Sequence, residues 1–120
     1  RRLRKMVGGG MRQAGILAAA GQIALEQGPL RLQDDHANAQ YLARGLSSIP
    51  ELEVAPDSPQ TNMVHARCRL GKTGELSDYL AREGLLIKAA NPIRFVTHLD
   101  INQQDIDALL NAVKRFYQDR

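Results

Sequence analysis

The hydrophobic period of this chain changes near residue 50, and that change limits the folds open to it. Up to Leu46, apolar residues recur at helical spacing. Beyond it they alternate: Leu52 and Val54 with Glu51 and Glu53, then Val64, Ala66, Cys68 and Leu70 along 62–70. Alternation places one face of a strand in a core and the other toward water. A helical pattern returns over 73–83, with Leu76, Tyr79 and Leu80 inward and Gly84 closing it. Segments 85–89 and 93–98 are expected to be strands, separated by the Asn91-Pro92 turn. The chain closes on Ile106, Leu109, Leu110, Val113, Phe116 and Tyr117 at helical spacing. Asn102, with Asp105 three residues on, forms a capping box in which Asp replaces the usual Glu or Gln. Helices followed by ββαββα predict an α+β fold: a small, mostly antiparallel sheet with helices on one face.

The first fifty residues are helical and unusually rich in small side chains. Residues 1–6 form the end of a helix, and Gly8, Gly9 and Gly10 stop it, because glycine tolerates the left-handed conformation of a helix C-terminus. A second helix is expected over 11–27. Ala14, Gly15, Ala18, Ala19, Ala20 and Gly21 spread small residues over several of its faces, which places it in an interior or at a subunit contact. Gly28-Pro29 is expected to break the chain and start a third helix over 30–46, with Leu32, Ala39, Leu42, Ala43 and Leu46 as its stripe.

At 120 residues, the chain suffices for one domain with a modest core. Its net charge of +3 is concentrated at one end. Arg1, Arg2, Arg4 and Lys5 are four of the 16 basic residues, and the remaining 12 face 13 acidic ones. That is a solvated first turn, not the basic stripe of a nucleic-acid footprint, so no nucleic-acid partner is expected. Cys68 is the only cysteine, which excludes an intrachain disulfide and a thiolate metal cluster and fits a reducing, cytoplasmic setting. The longest apolar run, 14–25, contains Gln22 and is too short to span a bilayer, so no membrane partner is expected. The chain opens with Arg1, inside a helical pattern without a cap and without a signal-peptide pattern. The expectation is that a preceding part of a longer polypeptide is missing.

Two features carry candidate chemistry. Glycines before a helix can present amide groups to an anion, and Arg12 would add a charged fork. Three glycines between helices also make a flexible joint, and neither nucleotide-binding glycine motif is present. On the strand 93–98, Ile93, Phe95 and Thr97 share one face, while Arg94, Val96 and His98 share the other. Arg94 is either a surface arginine or a bidentate partner for a carboxylate, held by a rigid element. His36, His65 and His98 have no metal-ligand spacing, and no metal site is expected. His98 could share a site with Arg94, with Asp100 as its one nearby carboxylate. Neither a Ser-His-Asp set nor a carboxylate pair can be assembled, and Cys68 reads as core.

Four blocks resemble the low-specificity L-threonine aldolases in order and spacing: Arg4-Lys5-Met6-Val7-Gly8-Gly9-Gly10-Met11-Arg12-Gln13 with the small-residue run to Gly21, Arg31 to Ala39, Thr61-Asn62-Met63-Val64, and Ile93-Arg94-Phe95-Val96-Thr97-His98-Leu99-Asp100. The resemblance implies a pyridoxal 5'-phosphate enzyme of the aspartate-aminotransferase fold. Such enzymes cleave L-threonine or L-allo-threonine to glycine and acetaldehyde, as homotetramers. It further implies that 1–28 is the end of the large cofactor-binding domain with its connecting helix, and that 29–120 is the C-terminal small domain. The lysine that forms the Schiff base, the phosphate loop and the residues around the ring would lie upstream. This chain would then hold no catalytic residue, partner its own N-terminal domain, and be inactive alone. Position by position, Arg94 matches the arginine that holds the substrate carboxylate, while Lys5 and Arg12 match basic residues near the active site. Anchoring the carboxylate selects which bond at Cα is broken, here Cα–Cβ. The alternatives are another amino-acid lyase or transferase on the same scaffold, and a free-standing αβ module that binds a small ligand.

Overall fold

The computed structural model describes residues 2–57 and 59–118. The backbone divides into two compact units, 1–32 and 33–120.

In the first unit, helix α1 (Arg2–Met6) ends at Gly8, whose φ of 89° is open to glycine at little cost. The Gly8 amide donates to the Lys5 carbonyl at 3.2 Å and the Gly9 amide to the Arg4 carbonyl at 2.7 Å. A Cβ on Gly9 would lie 2.8 Å from that Arg4 oxygen, so the turn requires glycine there. Helix α2 (Gly15–Ser47) begins four residues later than the sequence pattern predicts. Gln13 has a φ of 47°, which no right-handed helix can contain. The predicted break at Gly28-Pro29 does not occur either: α2 runs through Pro29. Pro29 removes one N–H donor, but residues 21–27 are exposed, so the freed carbonyl a turn earlier remains open to water. No residue of α2 before Asp35 is buried, and Ile16, Leu17, Ile23 and Leu25 are all exposed. The close neighbours predicted for this small-residue surface are absent among the described residues.

The second unit holds the core. It takes the last turns of α2, then β1 (Leu52–Glu53), β2 (Met63–Cys68), α3 (Thr73–Arg82), β3 (Ile93–Val96) and α4 (Gln103–Gln118). The sheet is antiparallel in the order β1-β2-β3, with Leu52 opposite Cys68 and Val64 opposite Phe95. Val64, Ala66, Cys68, Ile93 and Phe95 are buried in one cluster with residues of the three helices. Ala39, Leu42, Ala43 and Leu46 come from α2, Leu76 and Leu80 from α3, and Ile106, Leu110, Val113 and Phe116 from α4. Met63, His65, Arg67, Arg94 and Val96, on the opposite face, are exposed. This is the expected α+β arrangement with helices on one face, and it follows from the period-2 alternation of β2 and β3.

The capping box forms as its spacing requires. Asn102 Oδ1 accepts from the amides of Gln104 and Asp105, and Asp105 Oδ2 accepts from the amide of Asn102 at 2.9 Å. Two strand expectations fail. Leu70 is exposed, because β2 ends at Cys68 and Gly71 (φ 67°) turns the chain. Segment 85–89 is not a strand, so among the described residues the sheet has three strands instead of four. Its polar groups are drawn to α3: the Leu85 amide donates to the Leu80 carbonyl, and Ser77 Oγ donates to the Ile87 carbonyl at 3.0 Å. β3 is therefore an edge strand.

Candidate functional site

Arg94 stands on the outer face of β3, between the inward side chains Ile93 and Phe95. Both neighbours are anchored in the core, so strand alternation forces the guanidinium outward. It lines a cleft of about 460 Å³ formed by 84–88, the end of β3 and its following loop, and the first turns of α4. Leu85, Ile87, Ile106 and Leu109 supply apolar wall, and Lys88, His98, Asp100 and Asp105 supply charge or polarity.

One of the two acids of this cleft already has a partner. Asp105 is engaged by the Asn102 amide, and Asp100 Oδ2 lies 3.6 Å from His98 Nδ1. His98 Nδ1 accepts from the Asp100 amide at 3.3 Å, and in that state it has no proton to offer the Asp100 carboxylate. Asp100 is the carboxylate near His98, and His98 and Arg94 line one cleft. The Arg94 side chain makes no hydrogen bond or ion pair among the described residues. An unpaired planar fork on a strand, beside an apolar wall, is suited to a carboxylate. The ladder also sets His65 directly opposite Arg94 on the outer face, a neighbour that the sequence pattern alone does not pair with it.

Lys5 and Arg12 belong to the first unit and are exposed. Lys5 is in the last turn of α1, and Arg12 lies between α1 and α2. The glycines that separate them do not fit a phosphate cradle. Their amides are all directed to backbone carbonyls: Gly8 to Lys5, Gly9 to Arg4, and Gly10 to Gly8 at 3.1 Å. The described residues therefore provide a candidate carboxylate partner but no holder for the phosphate of a cofactor. They also contain no group of three or more His, Cys, Asp or Glu side chains able to hold a metal ion. No helix of the described residues is long and apolar enough to cross a membrane.

Three of the four blocks quoted above, those holding Asp35, Asn62 and Thr97, meet in space at the end of β3. Thr97 is buried, and its Oγ1 donates to the Asp35 carbonyl of α2 at 2.7 Å. Its amide donates to the Asn62 carbonyl at 2.9 Å, and Asn62 Nδ2 donates to the Thr97 carbonyl at 2.8 Å. Asn38 Nδ2 donates to the Ile101 carbonyl at 3.2 Å. Sequence reasoning placed Thr97 inward but missed this frame, since its partners are 35, 62 and 63 residues apart.

The profile of the family described as beta-eliminating lyase matches residues 1–69, more than half of the chain. The chain belongs to the beta-eliminating lyase family. Within curated proteins, this family member is 42% identical over 105 residues to the low specificity L-threonine aldolases of Escherichia coli O157:H7 and Escherichia coli (strain K12). Those alignments cover 88% of this chain and 31% of each relative. It is 35% identical over 121 residues to a protein of Arabidopsis thaliana named probable low-specificity L-threonine aldolase 2, covering 96% of this chain and 34% of that one. The chain thus spans about a third of the length of the curated relatives it matches.

Proposed function

We propose that this chain is the C-terminal part of a pyridoxal-phosphate-dependent L-threonine aldolase that cleaves L-threonine or L-allo-threonine to glycine and acetaldehyde. The observation that carries the proposal is the 42% identity to two proteins of that name across 88% of the chain. The unpaired Arg94 at the cleft supports it with chemistry. In this reading, residues 1–28 close the large domain and 29–120 form the small one. The whole protein is a cytoplasmic homotetramer, and the exposed apolar residues of α2 pack against its remaining parts. Lys5 and Arg12 sit near its active site.

Arg94 receives the substrate carboxylate through its two parallel N–H donors. Held by β3, it fixes the rotation of the amino acid about Cα and so selects the bond to be broken. The apolar wall of the cleft limits water around that ion pair and strengthens it. When bound, pyridoxal phosphate supplies the electron sink for the broken Cα–Cβ bond. The described residues offer no cradle for its phosphate, so its binding is assigned to the remainder of the protein.

In the complete protein, Arg94→Ala is expected to weaken threonine use by about 2–5 kcal/mol in kcat/KM, with cofactor affinity nearly unchanged. Unaltered KM and kcat for threonine would remove the assignment. The family's description favours a second reading, β-elimination on the same scaffold. Product analysis separates the two: acetaldehyde with glycine, or a keto acid with ammonia.

A further inference from the structure

We propose that Thr97 is a positioning residue for the substrate arginine, acting through the end of β3 with Asn62 as its partner. The inference rests on the aldolase reading of Arg94 and adds to it the device that holds that side chain still.

β3 needs such a device because it is an edge strand. It pairs with β2 through Met63–Val96, Val64–Phe95, His65–Arg94 and Ala66–Ile93, and among the described residues no strand lies on its other side. Edge strands held on one side fray most readily at their ends. The ladder ends at Val96, two residues past Arg94, and the next residue is the fully buried Thr97. All three hydrogen-bonding groups of Thr97 are engaged. The amide and carbonyl exchange bonds with Asn62 at 2.9 and 2.8 Å, extending the grip of the β2 side by one residue. The hydroxyl reaches a different element, the Asp35 carbonyl of α2, at 2.7 Å, with a longer contact of 3.4 Å to the Asn62 carbonyl.

The consequence concerns the opposite face. Strand alternation couples the inward direction of Thr97 to the outward direction of its neighbours. Tying Thr97 to α2 fixes the plane from which Val96 and His98 project, and through Val96 the aim of Arg94. A misplacement of about 1 Å in a carboxylate anchor is enough to lower catalysis on the order of a hundredfold. Valine has nearly the shape of threonine but no hydroxyl, so Thr97→Val removes the α2 bond and leaves the backbone pair with Asn62 in place. Serine retains the hydroxyl.

The test uses the full-length enzyme with threonine as substrate and pyridoxal phosphate titrated separately. Thr97→Val is expected to raise the KM for threonine about tenfold, more than it lowers kcat, with cofactor affinity within about twofold of the parent. Thr97→Ser is expected to restore KM to within about twofold. If Thr97→Val does not yield folded protein, Asn62→Ala serves instead, with the same rise in KM expected. An unchanged KM, or a fall in melting temperature with normal KM, overturns the positioning role. The outcome is distinguishable from failure of the underlying reading: a normal Arg94→Ala enzyme removes the substrate site itself, whereas an impaired Arg94→Ala enzyme beside a normal Thr97→Val enzyme removes only this inference.

Discussion

Tyr117 shows how one residue can tie stability to pH. Its hydroxyl lies 3.5 Å from the sulfur of Cys68, at the edge of the core. Burial pushes its acid constant above the ordinary tyrosine value, and the Cys68 contact adds to the rise. Tyr41 is raised as well, chiefly because its hydroxyl donates to Asp107 at 2.6 Å. A raised constant means that the folded chain keeps its proton where the unfolded chain has released it. Unfolding above the ordinary tyrosine value of 10.0 therefore liberates protons. This contribution to stability is complete below pH ~10 and is lost as pH rises beyond it. Urea denaturation from pH 8 to 11 should show falling stability at the alkaline end, and Tyr117→Phe should fall less steeply. A parent curve as flat as that of Tyr117→Phe would contradict the assignment.

At the scale of elements, the close approach of α2 to α4 depends on Gly45. A Cβ at this position would collide with the side chain of Leu110 in α4. In an open helix, Gly→Ala stabilises by about 1 kcal/mol. Here it overpacks a buried contact, and the expected effect is a loss of about 1–3 kcal/mol. Urea midpoints decide this by sign, and with Leu110→Ala already in place Gly45→Ala should become neutral or stabilising. The same pair shows what the chain discloses of its elements. The stripe Ala39, Leu42, Ala43 and Leu46 and the α4 pattern were legible, because both repeat at 3.6 residues and bury large aliphatic groups. The need for glycine at 45 was not, since it arises only where a second helix arrives. Local signals also misled where exposure changed their meaning. Gly28-Pro29 interrupts no helix because water can satisfy the freed carbonyl. The apolar segment 85–89 forms no strand because α3 takes its polar groups. Of the candidate site, the outward direction of Arg94 was legible from alternation, but the Thr97–Asn62 frame has no local pattern to announce it.

For the whole molecule, the distribution of burial yields a sharper expectation than the sequence pattern does. The small-residue run 14–21 predicts a packed helix, yet every buried residue among those described lies at or beyond Asp35. The core of the second unit is drawn entirely from its own residues, and no buried side-chain polar atom among those described lacks a partner. A chain starting at Gln33 would keep that core whole. It would also place Asp34 and Asp35 in the first turn of the shortened helix, where the helix dipole favours acidic groups. Residues 33–120 alone are therefore expected to unfold cooperatively, with a free energy within about 0.5 kcal/mol of that of the 120-residue chain. Denaturant titrations of the two chains, followed by far-ultraviolet circular dichroism, make the comparison. A loss above about 2 kcal/mol would show that residues 1–32 supply buried contacts. Equality would mean that the exposed Ile16, Leu17, Ile23 and Leu25 do not stabilise this piece, as the proposal requires if their packing partners lie in the rest of a longer enzyme.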